Sequence, residues 1–123
     1  MKKVAVLLPC YNEELTIAKV IADFRKVLPD AEIYVYDNNS TDRSRELAGK
    51  AGAVVRSVTQ QGKGYVVRKM FQEIDADCCL MVDSDDTYPA EAAPDLIRDI
   101  LAGEMDMVTG DRLSTTYYEV KPR

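Results

Sequence analysis

Histidine is absent from this chain of 123 residues. Its absence excludes a Ser-His-Asp or Cys-His nucleophile, a histidine general base and histidine-ligated metal sites. Hydrophobic runs are short, and none approaches the roughly 20 residues that span a bilayer. The apolar stretch near the N-terminus is followed by Asn12-Glu13-Glu14, where a cleavage site would stand, so we expect no signal peptide.

Cysteines are few, and acidic residues outnumber basic ones. Cys10, Cys78 and Cys79 form no paired framework and lack the spacing of a zinc site, which predicts reduced thiols in the cytosol. The net charge of −5 argues against non-specific nucleic-acid binding, although it does not exclude a phosphate ligand. We therefore expect a cytoplasmic protein with no nucleic-acid partner.

Short apolar runs alternate with amphipathic stretches along the chain. The predicted strands are residues 4–8, 33–36, 53–58, 78–82 and 105–109. This order predicts an α/β fold with a mainly parallel sheet and helices on both faces, ending after the fifth strand. Ligands of such sheets bind outside the carboxyl ends of the strands. Residues 113–123 have no clear period and are expected to form an irregular tail or the start of a missing acceptor half.

The cluster Asp83-Ser84-Asp85-Asp86 directly follows the apolar run 78–82. Like charges this close repel each other unless a cation lies between them. A hard divalent ion such as Mg²⁺ or Mn²⁺ suits an all-oxygen cluster and takes further ligands from substrate phosphates. The alternative is a solvated acidic turn with a helix cap.

Three other polar segments fall at the same predicted edge of the sheet: residues 9–13, 37–42 and 110–112. The loop 9–14 has aromatic and polar residues that can flank a base or ribose, although Glu13 or Glu14 can instead sit in a helix's first turn. Asp37 ends a strand and can accept from a base or a ribose, or cap the next helix with Ser40. Lys63, between two glycines, can reach a diphosphate or be a solvated turn lysine.

Taken together, five segments resemble family 2 glycosyltransferases of the GT-A fold. They are Leu8–Glu14, Val35–Asp42, Gly62–Gly64, Val82–Pro89 and Val108–Leu113. They are most similar to the branch with dolichyl-phosphate mannose and glucose synthases and bacterial polyprenyl-phosphate glycosyltransferases. The resemblance implies a GT-A, Rossmann-like three-layer α/β/α sandwich, of which this chain holds the N-terminal donor-binding part.

The resemblance also implies roles for residues of the nucleotide site. Pro9, Tyr11 and Glu13 match the first nucleotide-contacting loop. Val35 and Asp37 match the positions that hold the nucleobase.

Further roles concern the metal, the diphosphate and the acceptor. Asp83-Ser84-Asp85 matches the DxD motif, with Asp85 the direct ligand of Mg²⁺ or Mn²⁺ and Asp83 nearer the ribose and the metal's waters. Both aspartates are expected to be catalytic, and Ser84 to be part of the substrate site. Lys63 is expected to share the diphosphate charge, and Arg112 resembles the arginine that begins the acceptor half.

The resemblance implies metal-dependent, inverting transfer from a UDP- or GDP-sugar to a polyprenyl-phosphate lipid. One alternative is a nucleotide-sugar-binding module without turnover, and another is a receiver-like signalling domain. We expect a donor-binding unit over residues 1–112 and either a tail or the start of an acceptor half over 113–123. We also expect self-association through an uncovered sheet edge at 105–108, and leave open peripheral attachment to the inner face of the membrane.

Overall fold

The structure of the chain, a computed structural model, describes residues 3–82, 84, 90–101, 107–112 and 115–120, the last two ranges by their backbone. Helices and strands alternate as the apolar pattern predicts. The strands are β1 (Val4–Cys10), β2 (Glu32–Asp37), β3 (Val54–Ser57), β4 (Cys78–Met81), β5 (Met107–Arg112) and β6 (Thr115–Val120). The helices are α1 (Ile17–Val27), α2 (Ser44–Lys50), α3 (Lys63–Glu73) and α4 (Ala93–Leu101), the last preceded by a short 3₁₀ turn.

All six strands form one sheet with the order β3-β2-β1-β4-β6-β5. The pairs β1–β2, β1–β4 and β2–β3 are parallel, whereas β6 is antiparallel to both β4 and β5. Two antiparallel pairings in succession make β5 parallel to β4. The carboxyl ends of β1, β2, β4 and β5 therefore lie at the same edge of the sheet.

The expectation that the sheet ends with the fifth strand and leaves an irregular tail was wrong. Residues 115–120 form β6, which lies between β4 and β5. The segment Thr-Thr-Tyr-Tyr-Glu-Val is rich in β-branched and aromatic residues, which fit a pleated surface. The strand β5 pairs only with β6 among the described residues, so its other side forms the edge of the sheet, where an uncovered edge was expected.

Helices cover both faces of the sheet, as predicted. On one face α1, α2 and α4 pack on alternate strand residues such as Val6, Leu8 and Val35. On the other face α3 packs through Val66 and Met70 on the intervening residues. This alternation follows from the two-residue period of a strand, which sends successive side chains to opposite faces.

A polar contact fastens α3 to the sheet. Tyr36 is fully buried, and its hydroxyl donates to Glu73 Oε1 at 2.9 Å. Arg56 Nη1 donates to the same oxygen at 3.0 Å. Burial, followed by the bond to Glu73, raises the pKa of Tyr36 to about 12. The phenol therefore stays neutral at physiological pH and anchors the end of α3.

In the described part of the chain, no helix combines the length and the apolar character needed to cross a membrane.

Candidate functional site

A cavity of about 360 Å³ opens at the carboxyl edge of the sheet. Its walls come from the ends of β1, β2 and β4 and from the beginning of α3. The lining residues are Pro9, Cys10, Tyr11, Glu13, Asn38, Gln61, Gly62, Lys63, Val66 and Ser84. The volume lies within the range of small-molecule sites.

Five residues predicted from the sequence meet in this cavity. Pro9 lies near the end of β1, Tyr11 and Glu13 lie in the loop after it, Lys63 begins α3, and Ser84 follows β4. Tyr11 is 52% exposed, so its ring stands at the rim, where a planar ligand can stack on it. Residues more than 70 positions apart thus form one concave surface.

Ser84 fixes the loop after β4 against the loop after β1. It is buried, and its hydroxyl donates to the Pro9 carbonyl at 2.9 Å. Its own carbonyl accepts from Thr16 Oγ1 at 2.7 Å. The middle of the acidic segment is therefore held at the cavity by hydrogen bonds from both of its polar groups.

The β1–α1 loop (residues 11–16) is joined to the β2–α2 loop (residues 38–43) and the start of α2 by side-chain-to-backbone hydrogen bonds. The N–H groups of residues 12, 13 and 14 each donate to a side chain from the other segment. Their acceptors are Ser40 Oγ at 2.8 Å, Ser44 Oγ at 2.8 Å and Asp42 Oδ2 at 3.1 Å.

N–H groups of residues 41–43 in turn donate to side chains of the β1–α1 loop. Asn12 Oδ1 accepts from the N–H of Thr41 at 2.8 Å and of Asp42 at 3.4 Å, and Glu14 Oε1 accepts from the N–H of Arg43 at 3.3 Å. Asn12 has a φ of 52°, a left-handed conformation that asparagine tolerates better than most residues. We call this set of reciprocal bonds the loop–loop contact.

Asn38 attaches the segment before α3 to the end of β2. Its Nδ2 donates to the carbonyls of Val58 at 2.9 Å and Gln60 at 2.8 Å, and its Oδ1 accepts from the Gly62 N–H at 2.9 Å. Gly62 has a φ of 133°, which side-chain-bearing residues rarely adopt. Asn38 and Gly62 together bring the positive N-terminal end of α3 to the cavity.

Asp37 lies just behind the cavity wall. It is 1% exposed, and its neighbours Asn38 in sequence and Cys10 in strand register both line the cavity. Its Oδ2 accepts from the Ser40 N–H at 3.1 Å and lies 3.7 Å from Arg45 Nε. Its Oδ1 is buried and has no hydrogen-bond partner in the described part of the chain. Because an unpaired buried acceptor is costly, this oxygen is suited to a ligand donor.

Cys10 is a thiol in the floor of the cavity. Burial raises its pKa, hydrogen bonding to Ser44 opposes this, and the negative charge of Asp37 raises it further. The thiol is therefore protonated at neutral pH. It contributes a small, weakly polar surface and not a nucleophile.

Val35 lies away from the cavity, and the structure describes Arg112 only by its backbone. Val35 is fully buried in the core beneath α1 and α2 and reaches neither water nor the cavity. Arg112 ends β5, two strand positions from β4 and at the same edge of the sheet. The predicted roles of both residues remain predictions.

The predicted metal ligands Asp83 and Asp85, with Asp86, lie outside the described residues. Within the described ranges no three metal-ligating side chains are grouped as they would be around an ion. The structure therefore does not test the predicted DxD site directly. The position of Ser84 between the two aspartates is the part of that motif that it describes.

Several cavity residues were not among the predicted site residues: Cys10, Asn38, Gln61, Gly62 and Val66. Asn38 falls within the segment Val35–Asp42 that carries the family resemblance, but no role was predicted for it. Its function as a cross-link depends on carbonyls some 20 residues away, which no local pattern indicates.

Comparison with known proteins agrees with this geometry. The sequence matches the profile described as Glycosyl transferase family 2 over residues 5–121. Protein RfbJ of Shigella flexneri is 55% identical over 109 residues, covering 89% of this chain and 84% of that protein. Dolichyl-phosphate hexose transferase of Haloferax volcanii is 36% identical over 119 residues, covering 97% of this chain and 51% of that protein.

A solved structure is also similar. Glucosyl-3-phosphoglycerate synthase from Mycobacterium tuberculosis, in complex with Mn²⁺, UDP and phosphoglyceric acid, superposes with a TM-score of 0.80 at 27% identity. The match covers 92% of this chain and 44% of that one, so this chain spans about half the length of these two longer proteins. The predicted mainly parallel GT-A fold is confirmed. The chain belongs to glycosyl transferase family 2.

Proposed function

We propose that this chain binds the nucleotide-diphosphate sugar in a metal-dependent glycosyl transfer. The observation that carries the proposal is the cavity itself, where the carboxyl ends of β1, β2 and β4 and the start of α3 meet around about 360 Å³. In this proposal Tyr11 stacks on the base or ribose, and Lys63 with the positive end of α3 stabilises the diphosphate. The solved synthase bound to Mn²⁺ and UDP supports it.

Asp37 is proposed to determine the specificity for the nucleobase. Its Oδ2 already accepts from Ser40, so only Oδ1 is left for a ligand. Uracil offers one N–H between two carbonyls, whereas guanine offers adjacent N–H donors that pair best with both oxygens of a carboxylate. A single available oxygen therefore favours uracil. Because Oδ1 is covered in the free protein, binding requires the residues around Asp37 to move.

Asp83 and Asp85 are the residues proposed to hold Mg²⁺ or Mn²⁺. The bonds of Ser84 to the loop after β1 support this, because they hold the intervening residue at the cavity. A bound divalent cation supplies neutralisation of the charge that develops on the leaving diphosphate. The contribution of the chain is to orient that diphosphate between the acidic segment and Lys63.

The acceptor is proposed to be a polyprenyl phosphate, attacked with inversion, and Arg112 to lie towards it. The name of the dolichyl-phosphate hexose transferase, a relative of this chain, supports a lipid phosphate. A phosphate is already a nucleophile at neutral pH, so a strong general base is not essential, which fits a chain without histidine. Peripheral attachment to the inner face of the membrane would follow from such an acceptor. The alternative is a nucleotide-sugar-binding module without turnover.

Calorimetric titration with UDP and GDP, each with Mn²⁺ and with EDTA, tests the nucleotide site. We expect UDP to bind more tightly than GDP, and Asp85→Asn and EDTA each to remove most of the binding. Asp30→Asn is the matched control, because it makes the same chemical change on an exposed turn after α1. Equal UDP affinity with EDTA and with Mn²⁺ would contradict metal dependence.

A transfer assay separates the two functions. Purified chain is incubated with radiolabelled UDP-sugar, Mn²⁺ and polyprenyl phosphate, and the lipid product is counted. Product formation that Asp85→Asn abolishes supports the enzyme. Tight UDP binding with neither lipid product nor donor hydrolysis supports the binding module.

A further inference from the structure

We propose that Asn12 is a positioning residue that makes the β1–α1 and β2–α2 loops act as one rigid wall of the cavity. The inference rests on the proposed function in one respect, since the ligand that the wall holds is taken to be a nucleotide. It assigns no contact between Asn12 and that ligand. Its effect is expected to pass through its neighbours Tyr11 and Glu13, which line the cavity.

Asn12 takes part in the loop–loop contact in both directions. Its N–H donates to Ser40 Oγ at 2.8 Å, and its side-chain oxygen accepts from the N–H of Thr41 at 2.8 Å. Its left-handed φ of 52° turns the chain so that both groups face the other loop. A residue without the carboxamide therefore loses bonds even if it adopts the same φ.

The bonds of the contact share partners, so losing one is expected to weaken the others. Asp42 donates its N–H to Asn12 and accepts the Glu14 N–H on its carboxylate. Ser40 accepts from Asn12 and donates its own N–H to Asp37. A movement of Thr41 away from Asn12 thus displaces the acceptors of residues 12 and 14 and the donor that orients Asp37.

A simpler explanation is that asparagine is present only because it tolerates a positive φ. Glycine tolerates that conformation at least as well but has no side-chain acceptor. The substitution Asn12→Gly therefore separates the two explanations. Asn39→Gly is the matched control, because Asn39 has a φ of 67° and donates to Thr59 and Gln61, not to the β1–α1 loop.

The first measurement is hydrogen exchange of single amides by NMR on the full chain without nucleotide. In Asn12→Gly we expect at least tenfold faster exchange at residues 13 and 14, although their acceptors Ser44 and Asp42 are unchanged. Asn39→Gly should leave these two amides as in the wild type. Wild-type exchange at 13 and 14 in Asn12→Gly would show independent bonds and overturn the proposal.

The second measurement is UDP affinity with Mn²⁺ by calorimetry. Asn12→Gly should raise the Kd about tenfold, as expected when one or two hydrogen bonds that pre-organise a site are lost. Faster exchange with an unchanged Kd would show that the contact does not shape the cavity and would overturn the positioning role. If the wild type binds no UDP, the proposed function fails, while the exchange data still decide whether the loops move together.

Ser40→Ala provides an independent variant if Asn12→Gly does not fold. It removes the acceptor of the Asn12 N–H and keeps the backbone N–H that binds Asp37. We expect faster exchange at Thr41 and Asp42, whose acceptor on Asn12 is untouched. Unchanged exchange at both amides would again contradict a cooperative contact.

Discussion

Replacing Asp37 by asparagine separates the effect of its buried carboxylate on stability from its proposed effect on nucleotide binding. In the free protein Oδ1 has no partner among the described residues, and an unsatisfied buried acceptor costs about 1–3 kcal/mol. Asparagine removes the buried charge, and its oxygen can still accept from the Ser40 N–H. We therefore expect the unfolding free energy of Asp37→Asn to equal or exceed that of the wild type.

Nucleotide binding is expected to change in the opposite direction. If the asparagine oxygen faces Ser40, its NH₂ group faces the base N–H, and two donors then meet. If the amide flips, the same conflict arises with Ser40. Either orientation leaves one buried donor unpaired, which costs about 1–3 kcal/mol, or roughly a 10- to 100-fold higher Kd for UDP.

Two measurements on the same samples check this reasoning. Urea unfolding gives the stability, and calorimetry with UDP and Mn²⁺ gives the affinity, with Asp30→Asn as the control for loss of an exposed charge. An affinity within twofold of the wild type, together with a marked loss of stability, would refute the base-binding role. Asp37 would then serve only to hold the Ser40 N–H at the entry to α2.

Three further outcomes are expected. The substitution Tyr36→Phe should lower the unfolding free energy by about 1–2 kcal/mol, because Glu73 keeps Arg56 but loses the phenol. The pKa of Tyr36 is raised from 10.0 to about 12, so the stability that the phenol adds is complete below pH 10 and is lost as the pH rises through 12. The difference in unfolding free energy between variant and wild type, measured in urea, should therefore shrink by about 1 kcal/mol from pH 9 to pH 11. Gly49→Ala should stabilise by about 0.5–1 kcal/mol, because a methyl group there meets no described atom within 4 Å, whereas Gly52→Ala should destabilise by about 1 kcal/mol or more at its φ of 95°. Self-association through the β5 edge stays a prediction, and light scattering at several concentrations would contradict it if the mass remained that of one chain.

Local sequence patterns predicted the helices and the parallel strands well. The stretch from Ile17 to Leu28 ends next to Pro29, and α1 stops within one or two residues of that point. These features depend on apolar spacing and on chain-breaking residues, which lie within the segment itself. The prediction that polar loops meet at one edge of the sheet was also confirmed for the loops of Tyr11 and Ser84, because a parallel topology places them there.

The features that sequence did not predict are all non-local. The composition of residues 115–120 indicates a strand. Their place between β4 and β5, however, depends on pairing with distant strands, which the segment itself does not encode. The partners of Asn12 lie 29 and 30 residues away, so the loop–loop contact has no short-range signature. The lack of a partner for Asp37 Oδ1 likewise depends on the fold, because the Ser40 N–H and Arg45 both approach the other oxygen, Oδ2.

The position of β6 has a consequence for how the chain reaches its final form. Because β6 lies between β4 and β5, the strand β5 has no neighbour in the sheet until residues 115–120 are available. During synthesis the β3-β2-β1-β4 half can assemble first, leaving the outer edge of β4 exposed until residues 115–120 have been made. Since β6 is the neighbour of both β4 and β5 in the sheet, the β5–β6 hairpin can then add to β4 as a unit. A molecule arrested before this step has an open strand edge at β4 that is prone to aggregation.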